Sequence, residues 1–355
     1  MDITVQENVA LAPHTSMRVG GSARYWASAS TLDQLRAALE WAGKRSLPVQ
    51  VLGGGSNTIF ADGTYLGLVV KVDLMGIDGG NDAGDAADAV TVSAAAGENW
   101  DDFVVHCLGL QLSGIECLSG IPGLVGATPI QNVGAYGQEV AQTITKVQAL
   151  DRDSLEEATF SGEECRFSYR SSRFKAADRD RFIITRVTFR LRRGVKPELD
   201  YPELRQRLQG EAVDPTPAAV RDAVIALRRS KSMVLDSQDP NTRSAGSYFL
   251  NPIILGPPMD AVEERWQAVG DRESDIPKFP EADGRVKISA AWLVENSGFG
   301  KGYRYGQAGI SQNHALAIVA HGDRATDVVR LGEMVQEAVA KRFGILLEPE
   351  PVVVR

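Results

Sequence analysis

Three polar residues sit where they would be costly without a use. Arg170 lies in FSYRSSRFK (167–175), flanked by aromatic residues. Its planar guanidinium suits bidentate binding of a carboxylate, and a surface ion pair or a cation–π contact accounts for it as well from position alone. Ser247 lies between Gly246 and Tyr248 in an otherwise apolar run, where a turn hydroxyl is the simplest reading. Glu350 sits in LLEPEPVVV with Glu348 two positions before it. In extended chain the two acids share a face, and plain solvent exposure also explains them.

Two glycine-rich stretches could hold a ligand by backbone. GGGSN (53–57) follows the apolar run VQVL (49–52) and offers closely spaced N–H groups to a phosphate, although an isolated GGG is more simply a tight turn. It is no dinucleotide fingerprint, because no G-x-G-x-x-G opens a helix here, and no GK[ST] follows to make a P-loop. The segment SGIPGLVGATPIQNVGAYGQEV (119–140) is long, irregular and glycine-punctuated. Loops of that length are functional or disordered. The apolar residues Ile121, Leu124, Val125, Ile130, Val133 and Tyr136 argue against disorder. A flat, largely apolar ring lying on glycine backbone would explain both the glycines and the apolar residues.

The elements that must position these residues can be read from periodicity. RYWASA (24–29) is a short strand; Thr31 and Gln34 form a T-x-x-Q box ahead of a helix carrying Leu32, Leu35, Leu39 and Ala42. Strands follow at VQVL and LGLVVKV (66–72). MGIDGGNDAGDAADA (75–89) lacks periodicity and reads as a solvated connection. Next come VTVSAAAG (90–97), a helix over 99–110, and strands at ITKVQAL (144–150), EEATFS (156–161) and FIITRVTFRLRR (182–193). At DPTP (214–217), Thr216 is a candidate N-cap with Pro217 at the first helical position, and Val220, Val224 and Leu227 face inward. A Pro-rich loop region runs to about 287, then helix SAAWLVEN (289–296), GFGKGYRYG (298–306), strand HALAIVA (314–320) and a long helix closed by Gly344.

Composition bounds the possibilities. The 355 residues suggest two or three domains. With 43% hydrophobic and 24% charged residues the chain sits in the globular range. A formal charge of −8, from 38 Lys plus Arg against 46 Asp plus Glu, disfavours a general nucleic-acid or anionic-membrane binder. No apolar run reaches the roughly 18 residues of a membrane span, and the start lacks the pattern of a secretion signal. Cys107, Cys117 and Cys165, with no CxxC, suit a reducing cytosol, and four scattered histidines suggest no metal site. The 35 glycines are in excess, and the loops above are where they would matter.

Taken together the motifs resemble the UDP-N-acetylenolpyruvoylglucosamine reductase family. The resemblance rests on TSMRVGG (15–21), LGGGSN (52–57), SGIPGLVGATPIQNVGAYG (119–137), FSYRSSRFK, AGSYFLNP (245–252), the SAAWL…NHAL run (289–316) and LEPE (347–350), in the family's order. It implies an α+β fold: a two-subdomain FAD-binding scaffold of the PCMH/vanillyl-alcohol-oxidase type plus a smaller α/β substrate-binding domain. The implied boundaries are 1–74, with the tail 345–355 returning to the active site, then 75–213 and 214–344. It implies FAD and NADPH as cofactors, a UDP-sugar as substrate, a cytoplasmic setting, and neither nucleic acid, membrane insertion nor an obligate protein partner.

Residue by residue, the resemblance makes Ser247 the proton donor to C2 of the enolpyruvyl group, after hydride arrives at C3. Arg170 and Glu350 would polarise the carboxylate and stabilise the intermediate, Glu350 with a raised pKa. Flavin contacts would come from Leu52, Gly53, Gly54, Gly55, Ser56 and Asn57, from Ile121, Pro122, Gly123, Gly126 and Ala127, and from Gln131, Asn132, Gly134, Ala135 and Tyr136. Tyr201 would fold over substrate, with Arg228, Lys231, Asn251 and Asn296 as further substrate contacts. The rivals are a flavin oxidase on the same scaffold, a non-catalytic nucleotide-sugar or flavin sensor, and a nucleotidyltransferase. The last is weakest, because no carboxylate pair for Mg²⁺ follows GGGSN.

Overall fold

The computed structural model describes residues 3–83, 88–209, 215–268, 275–281 and 284–355. The chain divides into two compact units, each assembled from three separate segments. The first comprises Met1–Val9, Ala23–Gly54 and Leu66–Val234; the second comprises Ala10–Ser22, Gly55–Tyr65 and Leu235–Arg355. The expected parts 1–74 and 75–213 largely share the first unit, and the expected boundary at 213/214 lies outside the described residues.

In the first unit one sheet takes strands in the order Gln6–Ala10, Ser22–Ala29, Thr64–Val72 and Val49–Leu52, the last two parallel. Helix α1 (Leu32–Gly43) buries Leu35, Ala38, Leu39 and Ala42 in a core shared with Ala27, Ala29, Leu68, Val70 and Val72. The expected box at its start is half-formed. The Thr31 hydroxyl accepts from the Gln34 amide at 3.2 Å, but the Gln34 side chain reaches one residue further back and accepts from the Ser30 N–H at 2.9 Å.

The larger sheet of this unit is antiparallel, in the order Glu157–Ser161, Ile144–Asp151, Phe182–Arg193, Ala89–Ala95 and Ile77–Ala83, with Leu112–Ser113 on the end of the long strand. The last strand corrects the reading of 75–89 as a solvated connection, while 84–87 lie outside the described residues. Gly79 and Gly80 both have φ of +90°, and the register shifts between Gly79 and Ala83. An edge strand with a glycine irregularity carries no side-chain alternation, although its backbone still pairs.

Helix α2 (Trp100–Gly109) is capped by Asn99, whose side-chain oxygen accepts from the Asp101 and Asp102 amides, and it packs Trp100, Phe103, Val104 and Cys107 against Phe189 and Val187. Two further helices complete the unit. The first, α3 (Pro202–Leu208), was not foreseen, and the second, α4 (Pro217–Ser230), starts as expected with the Thr216 hydroxyl accepting from Ala219. Leu204, Leu208, Val220, Ala223 and Val224 bury one another together with Cys117. All three cysteines are buried in this unit, and burial pushes each thiol up to about 12.

The second unit contains a helix where a Pro-rich loop was expected. Helix α5 (Gly256–Gln267) has its prolines in the first turn, where a missing N–H is harmless, and buries Met259, Val262 and Trp266 at spacings of three and four. Short strands Ile253–Ile254, Val286–Ile288 and Lys278–Pro280 form one antiparallel sheet, and Arg304–Tyr305, Ala308–Ile310 and Ile318–Ala320 form another. The expected strand at 314–320 shrinks to its last three residues, because the His314 ring accepts from the Leu316 amide at 3.0 Å and turns the chain. Helix α6 (Ala290–Glu295) and helix α7 (Ala325–Phe343) bring Trp292, Leu293, Leu331, Val335, Val339 and Phe343 into a core with Trp266, and Gly344 closes α7 at φ +74°. The tail is a strand: Val352–Val354 runs parallel to Thr58–Phe60.

The start of α7 is capped from a distant loop. The Asp62 carboxylate accepts from the Ala325 amide at 2.5 Å, the Thr326 amide at 3.0 Å and the Thr326 hydroxyl at 2.5 Å. Partial burial acts to raise its pKa, but the hydrogen bonds from Thr326 and Ala325 outweigh burial and hold it below the ordinary 3.8. A depressed carboxylate stabilises above its unfolded pKa and loses that contribution as pH falls through the folded value. Asp62→Ala should therefore cost about 1 kcal/mol at neutral pH. The gap to the wild type in denaturant melts should close as pH drops below about 4.

Candidate functional site

The long glycine segment is irregular backbone fastened inside the first unit. At its start the Gly120 amide donates to Asp101 at 2.6 Å, and the same carboxylate takes a bidentate pair from Arg221 at 2.6 and 2.7 Å. Burial raises the Asp101 pKa, but these donors outweigh it and hold the carboxyl low; the same bond to Asp101 raises Arg221. Further on, the Val125 and Gly126 amides donate to Glu98 and Ala96, and Trp100 donates its amide to Gly123 and its indole N–H to Leu118. A Cβ on Gly54 would lie 2.9 Å from the Gly123 Cα, and one on Gly126 would lie 2.5 Å from the Ala96 Cβ. Those contacts require glycine.

The end of the segment is a tight hairpin. Gly134–Ala135 pairs with Gln138–Glu139 through a two-residue turn in which Tyr136 (φ +49°) and Gly137 (φ +89°) are both left-handed. Buried Asn132, at φ +48°, holds it: its amide donates to Glu139 at 2.7 Å and to the Ser168 carbonyl at 3.0 Å, and its oxygen accepts from Ala141 at 3.1 Å. Beneath the hairpin buried Glu116 accepts from Gln138 at 2.9 Å and from Gly114 at 2.6 Å. Sequence reasoning missed Asp101, Glu116 and Gln138 as supports, since long-range polar pairs leave no local pattern.

Arg170 lies against this hairpin, at φ +51°. It donates to the Asn132 carbonyl at 3.3 Å and the Gly134 carbonyl at 2.5 Å, with its Cζ 5.6 Å from the Tyr169 ring centre. The Ser172 hydroxyl, donating to Ile130 at 2.6 Å, ties the same segment to the glycine loop.

Beside the hairpin the structure gathers three expected substrate residues. The Tyr136 and Tyr201 rings meet edge to face at 5.2 Å. The Lys231 ammonium stands 5.8 Å from the Tyr136 ring centre and pairs with Glu203 at 2.5 Å. Arg228 donates to the Met233 carbonyl at 2.7 Å while its Nε is enclosed with no partner, and burial lowers its pKa. Burial, with Glu203 and against Arg228, pushes the Tyr136 phenol up to about 12.

In the second unit the Ser247 motif and the tail are joined by backbone. Leu250 donates to the Glu348 carbonyl at 3.0 Å and Glu350 donates to the Tyr248 carbonyl at 2.9 Å, so Glu350 stands opposite the residue next to Ser247. Tyr248 itself lies against Gly332 of α7, where a Cβ would be 2.6 Å from its ring. The Asn57 side chain donates to the Glu350 carbonyl at 3.1 Å, and the Asn57 carbonyl accepts from Val352. Gly55, at φ +64°, passes so close to His14 that a Cβ would lie 2.0 Å from its carbonyl oxygen. Asn251 accepts from the Ala290 amide and Asn296 donates to the Trp292 carbonyl, both at 2.9 Å, so each has a structural bond besides its expected substrate role.

The first unit's residues fit a flavin. Ile121, Leu124, Val133, Ala135 and Tyr136 are half-buried and Ala127 is exposed, which makes an apolar surface rather than a sealed core. Beside it, a Cβ on Gly53 would meet only the Leu124 side chain, at 3.7 Å, so the strand end opens into free space. Leu52 and Gly126 are buried and Asn132 spends its side chain on the loop, so these three support the surface rather than form it. Among the described residues no His, Cys, Asp and Glu cluster could hold a metal, and no helix is long and apolar enough to cross a membrane.

Comparison with known proteins agrees with that fit. Residues 23–155 match the family model of an FAD binding domain, and the fold is the expected α+β scaffold. The class is thus an FAD-dependent oxidoreductase. Residues 238–354 match the C-terminal domain of UDP-N-acetylenolpyruvoylglucosamine reductase. The chain is 44% identical to the UDP-N-acetylenolpyruvoylglucosamine reductase of Thermobifida fusca, over 100% of this chain and 99% of that one. It is also 44% identical to that of Salinispora arenicola, over 97% and 94%. The crystal structure of the enzyme from Thermus caldophilus superposes with a TM-score of 0.66 at 25% identity, covering 99% of this chain and all of the other. The chain belongs to the UDP-N-acetylenolpyruvoylglucosamine reductase family.

Asn132→Ala should cost about 1–3 kcal/mol in chemical denaturation, from buried groups left unpaired. Asn132→Gly, which loses the same bonds but accepts the positive φ, should be less destabilised by about 1 kcal/mol. Both variants should retain less flavin after gel filtration, read from absorbance near the visible flavin band.

Proposed function

We propose that this chain catalyses the NADPH-dependent reduction of UDP-N-acetylenolpyruvoylglucosamine to UDP-N-acetylmuramate, in the cytoplasm, as a step of peptidoglycan precursor synthesis. The observation that carries this reading is the backbone ladder that sets Glu350 beside the Ser247 motif, with both motifs present in full. Bound FAD would supply the hydride chemistry, taking reducing equivalents from NADPH and delivering hydride to C3 of the enolpyruvyl group. The chain's own residues would do the rest.

Arg170 would bind the enolpyruvyl carboxylate, its guanidinium held by the bonds it donates to the Asn132 and Gly134 carbonyls, which supports a preorganised role. Ser247 would donate its hydroxyl proton to C2, a transfer open to so weak an acid only because the carbon is strongly basic once hydride has arrived at C3. Glu350 would stabilise the enolate-like charge in its acid form, which requires a raised pKa. Gly53, Gly54 and the 121–136 segment, with Gly55, Ser56 and Asn57, would hold the flavin. Tyr201, Arg228, Lys231, Asn251 and Asn296 would contact the nucleotide sugar. The division into 1–74 with 345–355, 75–213 and 214–344 stands as part of the same proposal.

The purified protein should carry a flavin spectrum that bleaches anaerobically with NADPH and returns on adding the enolpyruvyl nucleotide. Return with oxygen but not with the nucleotide would instead mark an oxidase, and absence of flavin would overturn the reading. In stopped-flow measurements Ser247→Ala should leave the NADPH half-reaction nearly intact and slow the second half-reaction by about 10²–10⁴-fold. Equal loss in both halves would make Ser247 structural. Glu350→Gln should show the same asymmetry.

A further inference from the structure

Four side chains of the first unit close a circuit around the residues read as substrate contacts. Tyr201 meets Tyr136 edge to face. Glu203, two residues on in the first turn of α3, pairs with Lys231 at 2.5 Å. The Lys231 ammonium in turn faces the Tyr136 ring at 5.8 Å. Lys231 is the C-cap residue of α4, so the Glu203 pair joins the segment bearing the tyrosine to the end of that helix. Arg205 anchors the approach to Tyr201 by donating to the Leu199 carbonyl and pairing with Asp200 at 3.3 Å.

We propose that Glu203 is an internal competitor for the anionic part of the substrate, and so a residue that sets substrate affinity. The inference rests on the reading above in which Lys231 contacts the nucleotide sugar, and takes its diphosphate as the part a lysine ammonium would meet. A lysine ammonium held by a carboxylate at 2.5 Å must give up that partner, or share it, before a diphosphate can take the same donors. The exchange keeps the charge of Lys231 satisfied in both states. It also links nucleotide arrival to Tyr201, because releasing Glu203 frees the turn on which Tyr201 sits from its tether to α4. The pair is partly exposed, at 29% and 39% of the two side chains, so the exchange is a modest one that binding can drive.

The test is a double-mutant cycle on the flavin-loaded enzyme, with steady-state kinetics in the enolpyruvyl nucleotide. Glu203→Gln should lower the KM for the nucleotide by about two- to five-fold, with kcat changed less. It should tighten UDP binding in calorimetry by a similar factor. Lys231→Ala should raise that KM, and adding Glu203→Gln to it should then have no further effect. If Lys231→Ala raises KM but Glu203→Gln leaves KM and UDP binding unchanged or weaker, the competitor role is overturned while the diphosphate reading stands. If Lys231→Ala leaves KM unchanged, the diphosphate reading fails and the proposal falls with it. A Glu203→Gln effect that persists at full size without Lys231 also overturns it, because the carboxylate would then act on something else.

Discussion

The first unit depends on satisfying the hydrogen bonds of an irregular backbone. From Ser119 to Gln142 the chain has almost no regular ladder of its own, yet much of it is buried. Buried amides and carbonyls left without partners would each cost on the order of a kcal/mol or more. Side chains supply the partners instead: Asp101 for Gly120, Thr128 for Val125, Asn132 for Ala141, Ser172 for Ile130, and Arg170 for Asn132 and Gly134. Helix α2 supplies Asp101, and α4 holds that carboxylate through Arg221. A loop fixed this way presents glycine backbone and apolar side chains on a rigid mount, which a cofactor needs and an ordinary loop does not provide.

In the second unit the corresponding constraint is the capture of separated segments. The strand Val352–Val354 takes its partner from Thr58–Phe60, Glu348 and Glu350 take theirs from Leu250 and Tyr248, and α7 takes its cap from Asp62. Tyr248 is the hinge of this arrangement. Its ring rests on Gly332, its amide donates to Leu316 at 2.7 Å, and its carbonyl accepts from Glu350. A glycine inside a long helix costs about 1 kcal/mol relative to alanine, and here the loss is offset by packing a buried aromatic ring directly on the helix backbone. Ser247 is held from its C-terminal side by that packing.

Legibility in the sequence followed the kind of force involved. Periodic apolar segments were readable, including Phe182–Arg193, whose limits match the expected ones, and α4 with its Thr216 cap. Elements whose pairing is carried by backbone alone were not, as the glycine-bearing strand Ile77–Ala83 demonstrates. Helix α5 was hidden because prolines in its first turn look like loop residues unless Met259, Val262 and Trp266 are read together. At the site, the residues in the family's motifs were named from sequence, whereas their supports were not: Asp101, Glu116, Gln138 and Glu203 act through partners 22 to 120 positions away or through a carboxylate that could as well face solvent. Position alone left Arg170 open between ligand binding and a cation–π contact; the structure gives it backbone carbonyls and the Tyr169 ring at once.

The placement of the thiols has a practical consequence for watching this molecule move. All three cysteines of the chain lie in the first unit, each enclosed in a core and each raised to about 12, so none offers an accessible thiolate at neutral pH. An alkylating reagent can therefore reach them only when that unit opens, and the second unit contributes no background. Cys107 reports on α2, Cys165 on the large sheet and its neighbouring loop, and Cys117 on the packing of α3 and α4. The native chain thus carries three built-in clocks for the breathing of its cofactor-bearing half, with no label to engineer.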